Sequence, residues 1–457
     1  MKNIGVSQEM LQLIYSLNKK AKVVVDTPYG LTQEFETGPI VKQGTVLGAI
    51  LCSTSTGEYC GINTGVAIGT LQLSSLIYVD DMIDLSGNCT TYVSSHDNAM
   101  TFSHSKKLTY SGTKCYSMTI NGKKETPPEL IIDPSKDTKV VRTNEIVYLG
   151  DIFNEKGDND GLIKDRISRG VKAIISITSI LIESNLGKYH IDVALLLYSC
   201  LFLATVLFNS QTWSNLRKKD YDQLRRMQSK FIKRLVGVPY STCTAFTYLE
   251  LGILPIECEI HIRQLSYLHR ILNLEEDDPV FQMWKNMQVF SQCGEMNWWT
   301  GVSELLTKYE LNLELHEIKA MSKECFKKLV QKCVRRHAFN ELVNECNSKK
   351  KTGDIQYSSL KLEQYMENMY PTHSKVVFQC RSRTLDIKDH RSYKYADLKC
   401  RGCENADETL EHVINCNGKD GEHVDELHID FNCSEDWDDV VLSRCVHRIM
   451  KFLDENT

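Results

Sequence analysis

The chain runs to 457 residues, 25% of them charged and 42% hydrophobic. That balance excludes a disordered polar tail or a fibrous repeat and is enough for several packed domains. Its net charge of −5 excludes a globally basic nucleic-acid binder, so any phosphate-binding surface must be local.

Met1 to Met10 lacks the charged-then-apolar layout of a signal peptide, so the expected compartment is cytoplasm or nucleus. Ser7 to Lys20 reads as an opening helix, capped by Ser7, with Met10, Leu11, Ile14 and Leu17 on one face. Lys22–Val25 and Leu31–Phe35 read as strands joined by the turn Thr27-Pro28-Tyr29-Gly30. In Val41-Lys42-Gln43-Gly44-Thr45-Val46-Leu47-Gly48, the glycines allow a close backbone approach to a ligand, or are plain turn glycines. Leu76-Ile77-Tyr78-Val79-Asp80-Asp81-Met82-Ile83-Asp84-Leu85 follows. Two β-favouring runs flank an acidic pair, which is a hairpin pattern. Buried unpaired carboxylates are costly, and a divalent cation offsets that cost. The plainer alternative is a solvated turn holding two aspartates.

Asn88 to Ser105 reads as a polar surface helix. Ser111-Gly112-Thr113-Lys114-Cys115 precedes a strand over Tyr116–Ile120, Asn121-Gly122 reads as a hairpin turn, and Ile146–Phe153 as a further strand. From Leu162 the spacing is helical, through Ile163, Ile167, Val171, Ile174, Ile175 and Thr178. Val193–Phe208 is the longest apolar run. Its 16 residues fall short of the ~20 that span a bilayer, so it is expected as a buried helix. Leu216–Leu235 is a basic amphipathic stretch. Tyr221, Leu224, Met227, Phe231 and Leu235 form its apolar stripe. Arg217, Lys218, Lys219, Arg225, Arg226, Lys230, Lys233 and Arg234 face Asp220 and Asp222. Gly237-Val238-Pro239 ends it and Leu249–Pro255 makes a second break. Ile256–Leu274 and Glu314–Asn347 are helical by period, and Lys319–Arg336 is a solvated basic face.

Seventeen cysteines, irregularly spaced, suit reduced thiols plus one metal cluster better than a disulfide framework. That cluster is Cys400, Cys403, His412 and Cys416, spaced C-x2-C-x8-H-x3-C. Four Cys and His donors suit tetrahedral Zn²⁺ in a structural site. Arg401-Gly402 forms the knuckle, and Asp407 is expected to cap a helix that puts His412 and Cys416 on one face. Lys375–Arg401, with eight Lys or Arg against three Asp, reads as a nucleic-acid arm. Glu404–Thr457, with fifteen acidic residues against four basic ones, does not. Ser434 is expected to cap a last helix with Val441, Cys445, Ile449 and Phe452 inward.

Taken together, Tyr78-Val79-Asp80-Asp81 resembles the aromatic-x-Asp-Asp palm motif of reverse transcriptases. The segment around Gln43-Gly44 resembles the Gln-Gly segment upstream of it, and Tyr148-Leu149-Gly150-Asp151 the strand leading into the thumb. Leu249–Pro255 and the CCHC cluster also fall where non-LTR retrotransposon (LINE-like) reverse transcriptases carry similar segments. Gly48-Ala49 departs from the Ser-Pro often found there. The resemblance covers most of the chain. It implies an α+β fold: a partial palm sheet over 1–155, thumb-like helices over 156–255, a helical connector over 256–374, and a basic arm, zinc knuckle and acidic helix over 375–457.

It further implies an RNA-directed DNA polymerase in which Asp80 and Asp81 bind Mg²⁺ and Tyr78 lies beside the primer end. Gln43, Gly44 and Lys114 would line the nucleotide and template site; a solvated turn is the alternative for Lys114. Arg225, Arg226 and Lys230 would track the nucleic-acid backbone. The implied partners are an RNA template, a DNA primer and the element's own RNA, with no membrane. In that family a further palm aspartate and the fingers precede the opening helix. The chain is therefore expected to be the carboxyl part of such an enzyme. The alternative is a catalytically inactive RNA- or DNA-binding derivative.

Overall fold

The computed structural model describes residues 5–19, 22–36, 46–122, 127–184, 191–418 and 425–456. It is a mixed α+β structure, mostly helical with small sheets. It divides into two compact units, Met1–Ile146 and Val147–Thr457. Among the described residues no helix is long and apolar enough to cross a membrane.

In the N-terminal unit, helix α1 (Gln8–Asn18) starts where expected, with the Ser7 side chain accepting from Met10 N. Its apolar face is not buried, since Met10 and Leu17 are each half-exposed. The first hairpin forms as two short ribbons. Strand β1 (Lys22–Val23) pairs with β4 (Phe35–Glu36), and β2 (Asp26–Thr27) with β3 (Gly30–Leu31). Helix α2 spans Val46–Thr56. Strand β5 (Val66–Ile68) pairs with β6 (Leu71–Leu73), and β7 (Ser75–Tyr78) with β8 (Asp81–Asp84). Helix α3 (Cys89–Lys106) is capped by a reciprocal Asn88–Thr91 box, and it buries the small residues Ser95, Ala99 and Ser103 at four-residue spacing.

Two expectations in this unit need correction. The strand expected over Tyr116–Ile120 is only β9 (Tyr116–Ser117), which pairs in parallel with β12 (Val141–Arg142). Asn121 does adopt a left-handed φ of 49°, but no hairpin ladder surrounds it among the described residues. Strand β10 (Ile131–Asp133) pairs with β11 (Thr138–Lys139). The expected palm sheet is likewise not one sheet here: every described strand pairs with a single neighbour. Two-stranded ribbons are marginal alone, so packing on helices must hold them.

The single strand expected over Ile146–Phe153 is instead a hairpin, β13 (Glu145–Tyr148) and β14 (Asp151–Asn154). Leu149 and Gly150 both have positive φ, 47° and 87°, as a two-residue I′-type turn requires. Arg166, 1% exposed, holds the turn from helix α4 (Asp160–Glu183), donating to Gly150 O at 2.9 Å and pairing with Asp151. The buried stripe of α4 runs through Ile163, Arg166, Gly170, Ile177 and Leu181. Val171 and Ile175, expected inside, are exposed.

The apolar run folds as α5 (Ile191–Leu197), a π-helical segment over Tyr198–Leu203 and α6 (Ala204–Val206). Helix α7 (Lys218–Leu235) packs on α4 at Gly170, where an added Cβ would lie 2.6 Å from Met227 Sδ and 2.9 Å from Val206 Cγ2. Helix α8 (Thr244–Glu250) and α9 (Ile256–Leu272) flank the expected break. Gly252 there has φ +63°, and a Cβ would strike the Lys361 backbone at 2.4 Å.

Helices α10 (Pro279–Gln292) and α11 (Trp298–Lys308) follow. Glu314–Asn347 is two helices, α12 (Leu315–Ala320) and α13 (Lys323–Asn347), because Ser322 caps a new start. The rest comprises α14 (Gln364–Asn368), α15 (Pro371–Arg381), α16 (Leu410–Ile414) and α17 (Asp439–Asn456). One apolar core runs through this unit from Leu162 to Phe452. At its centre Arg381 and Glu250 form an ion pair of 2.8 Å with both side chains fully buried, and Tyr357 and Tyr365 donate to the carboxylate.

Candidate functional site

Three groups of residues singled out by the sequence have a described geometry. The first is the acidic hairpin. Tyr78 pairs with Asp81 across β7–β8, leaving Val79-Asp80 as the two-residue loop. Val79 sits at φ 58°, a region β-branched residues avoid, so the turn carries backbone strain. Its carbonyl accepts from Cys52 Sγ of α2 at 3.2 Å. Asp80 and Asp81 are exposed, and Tyr78 is 61% exposed.

The third carboxylate of the hairpin faces inward. Asp84 accepts from Ser75 Oγ at 2.6 Å, Tyr59 OH at 2.8 Å and Asn63 Nδ2 at 3.3 Å. Asn98 of α3 donates to Asn63 Oδ1 at 3.0 Å, and Tyr59 OH reaches Ser95 O. Burial pushes the Asp84 carboxyl above its ordinary value, against the opposing pull of these bonds. The sequence reading missed this anchor, whose only signal is an acidic residue at an inward strand position. Lys114 is exposed at the end of a 3₁₀ turn, Gly112–Lys114. Gln43 and Gly44 lie outside the described residues.

The second group is the basic helix. Leu224, Met227 and Phe231 of α7 are buried as the stripe requires. Its charges divide into paired and unpaired sets. Arg217 and Lys219 pair with Asp160, and Arg217 also with the buried Asp220. Arg225 is held by Glu257 at 2.6 Å. Arg226, Lys230 and Arg234 are exposed and make no ion pair among the described residues. Four residues apart, they form one stripe with steps of about 6 Å. Of the three cations expected on a nucleic-acid backbone, Arg226 and Lys230 are therefore free and Arg225 is engaged, with Arg234 extending the row.

The basic segment Lys375–Arg401, expected as a nucleic-acid arm, is packed into the fold over its first part. Residues up to Arg381 lie in α15, and burial of Val376, Val377 and Phe378 fixes them. Most of its cations are internally neutralised: Arg381 by Glu250, Arg383 by Asp354, Lys388 by Asp397, Arg391 by Asp386, and Arg401 by Glu408.

The third group is the Cys/His cluster. The donor atoms of Cys400, Cys403, His412 and Cys416 all lie within 4.8 Å of one another. Cys400 Sγ and Cys416 Sγ are 3.7 Å apart, and Cys403 Sγ lies 3.3 Å from His412 Nε2. Tetrahedral Zn–S bonds of ~2.3 Å place sulfurs about 3.8 Å apart, so the spacing fits that ion. Burial opposes ionisation of Cys403, but the Asn405 and Ala406 amides and the neighbouring thiols outweigh it and hold it below the usual thiol range. Burial and then Cys400 push Cys416 up to about 12. Thiols crowded this way ionise together only beside a cation, and the set could hold a metal ion such as zinc.

The cap of α16 differs from expectation. Thr409, not Asp407, accepts from His412 N, and the helix stops at Ile414, before Cys416. Asp407 instead bridges to Lys399. Gly402 is required at the knuckle, because a Cβ would lie 2.9 Å from the Phe452 ring and 3.3 Å from Cys416 Sγ. Arg401 and the buried Glu408 brace the knuckle from behind, with Glu408 also accepting from the Arg401 and Lys388 amides. Helix α17 closes the module with Cys445, Ile449 and Phe452 inside. Asp438, not Ser434, caps it by accepting from Val440 N and Val441 N.

No protein-family model matches this chain, and no curated protein matches it significantly.

Proposed function

We propose that the chain is part of a non-LTR retrotransposon-type reverse transcriptase: an RNA-directed DNA polymerase with a structural zinc module. One observation carries the reading. Two adjacent aspartates, Asp80 and Asp81, are exposed at the tip of a two-residue hairpin whose Val79 is strained. Strained residues persist only where the surrounding structure over-determines them, and they cluster at functional sites. In this reading Mg²⁺ on Asp80 and Asp81 would neutralise charge on the triphosphate. Tyr78, paired with Asp81 on the same face, would pack beside the primer end. The primer 3′-hydroxyl attacks the α-phosphorus, an ester bond forms, pyrophosphate leaves and the hydroxyl proton passes to solvent. Arg226 and Lys230 would contact the template–primer backbone, releasing counterions. Zn²⁺ on Cys400, Cys403, His412 and Cys416 would hold the carboxyl module rather than react, since all four positions are taken by protein.

A second reading is a nucleic-acid-binding protein without catalysis. Its support is that Asp80 and Asp81 do not belong to any group of three or more candidate metal ligands among the described residues. Two-metal chemistry needs further ligands.

Primer extension separates the two. The full chain, an RNA template with a DNA primer, dNTPs and Mg²⁺ would give products that vanish in Asp80→Asn/Asp81→Asn. Salt-sensitive template–primer binding with no extension would leave only the binding reading. Absence of both would remove the reverse-transcriptase assignment.

A further inference from the structure

A groove of about 710 Å³ runs between α7 and α13, in the range of small-molecule sites. Its two walls carry opposite charge. From α7 come Arg226, Lys230 and Lys233; from α13 come Glu341 and Glu345, exposed and one helical turn apart; Tyr240 lies at the rim. Lys233 is the unusual member. It is only 5% exposed, and its Nζ donates to two neutral acceptors, Tyr240 O at 3.0 Å and Thr244 Oγ1 at 2.9 Å. An ammonium has three donors. Neither bonded partner is a carboxylate: burial works against the charge, Cys243 and Glu345 support it through space without a hydrogen bond, and an anion placed directly on Nζ would add the missing contact.

An anion alone suits only half of the groove. Glu341 and Glu345 would repel a free phosphate on the far wall, and they accept hydrogen bonds but donate none. The occupant that satisfies both walls carries an anionic group at one end and a pair of hydroxyl donors several ångströms away. Tyr240, 64% exposed, adds a ring on which a flat group can stack.

We propose that this groove binds a ribonucleotide unit, its phosphate on Lys233, Lys230 and Arg226, its ribose hydroxyls on Glu341 and Glu345, and its base against Tyr240. The inference rests on the reading of α7 as a nucleic-acid-binding helix and sharpens it: the α13 carboxylates select ribose over deoxyribose. The 2′-hydroxyl is the group that distinguishes the two sugars, and a site built to bond a hydroxyl discriminates against a ligand that lacks it.

The test is calorimetric titration of the zinc-loaded full chain with AMP, dAMP and inorganic phosphate, with template–primer binding measured in parallel. AMP is expected to bind about tenfold tighter than dAMP, with phosphate weaker than both. Glu345→Gln should bring AMP and dAMP to within about twofold. Lys230→Ala should weaken both nucleotides together by several-fold. Both side chains are exposed, so neither change threatens folding. Equal affinity for AMP and dAMP, or AMP no tighter than phosphate, overturns the proposal. Template–primer binding without AMP binding overturns it while leaving the nucleic-acid reading of α7 intact. Loss of both removes the two together.

Discussion

The two units hold their candidate sites by different means. In Val147–Thr457 the sites rest on one apolar core. In Met1–Ile146 the apolar residues buried among those described are only Tyr59, Ala99, Leu130 and Ile132. What anchors the acidic hairpin is polar: Asp84, Tyr59, Asn63, Ser75, Ser95 and Asn98. Apolar burial is non-directional and tolerant, whereas a buried polar network is strong only while every member is satisfied. The metal cluster and basic helix are thus set on a cooperative body, and the acidic hairpin on a support that fails through single atoms.

The largest expected effect tests the cooperative body at its Cys/His cluster. Replacing Cys400→Ser should abolish stoichiometric zinc binding, because three donors leave the site open. Structural zinc contributes folding free energy directly. Hydrogen exchange should therefore lose protection over 398–416 and in α17, whose Phe452 packs at Gly402, while α3 is unchanged. Full protection in the variant would mean that the core alone holds the module. Next in size is the Glu250–Arg381 pair. Removing one partner of a buried ion pair costs about 3–5 kcal/mol, so Glu250→Ala should lower the urea midpoint of the C-terminal unit with no effect on α3. Arg381→Met should cost a similar amount, because each leaves the other charge unpaired.

A smaller change should be felt only in the N-terminal unit. Tyr59→Phe removes one hydroxyl that donates to Asp84 and accepts from Asn63. Leaving buried partners unsatisfied costs about 1–3 kcal/mol. Exchange should accelerate in β7, β8 and α3 and stay constant in α7 and α9. A variant indistinguishable from the parent would show that the ribbon is held by its backbone ladder instead.

How far these features were legible in the sequence follows the same division. Periodicity placed α7, α9 and α17, and most of the inward residues of α7 and α17, because apolar burial leaves a repeating signal. The clustering of Cys400, Cys403, His412 and Cys416 was legible because four such donors at fixed spacing have few other uses. Where the structure differs, a local bond decided the outcome. Thr409 rather than Asp407 caps α16, and Asp438 rather than Ser434 caps α17. The two-residue turn at Leu149-Gly150 splits one apolar run into two strands. The internal pairing of most cations in the basic segment was not legible, because charge counting cannot see partners distant in sequence: Arg381 meets Glu250 across 131 residues. The burial of Lys233 and the inward anchoring of Asp84 were invisible for the same reason, since nothing beside them in the chain marks either.

A last expected effect is one of pH, and in the C-terminal unit buried histidines drive it. His261 lies between Tyr309 OH at 2.6 Å and Tyr221 OH at 3.3 Å, and burial pushes it down to about 3. Burial likewise pushes His390 down to about 4. A folded pKa below the unfolded value of about 6.5 means stability fully present above that pH and lost as the pH falls toward the folded value. Each histidine should steepen the loss by at most about 1.4 kcal/mol per pH unit below 6.5. Urea midpoints of the C-terminal unit should fall from pH 7 to pH 5, and His261→Gln should flatten that slope by roughly half relative to the parent. Comparing parent and variant at each pH separates this from protonation of the Cys/His cluster, which both share. The N-terminal unit has no buried histidine among its described residues. Its part-buried carboxyl, Asp84, acts in the opposite sense, as do Glu259 and Glu363 of the C-terminal unit: raised by burial, each contributes stability present below the ordinary carboxylate pKa and lost as pH rises. Protonation of His261 and His390 should therefore loosen the body that carries the Cys/His cluster and the basic helix, while protonation of Asp84 leaves the ribbon that carries Asp80 and Asp81 in place. Parallel losses in both units would mean that the two do not unfold independently.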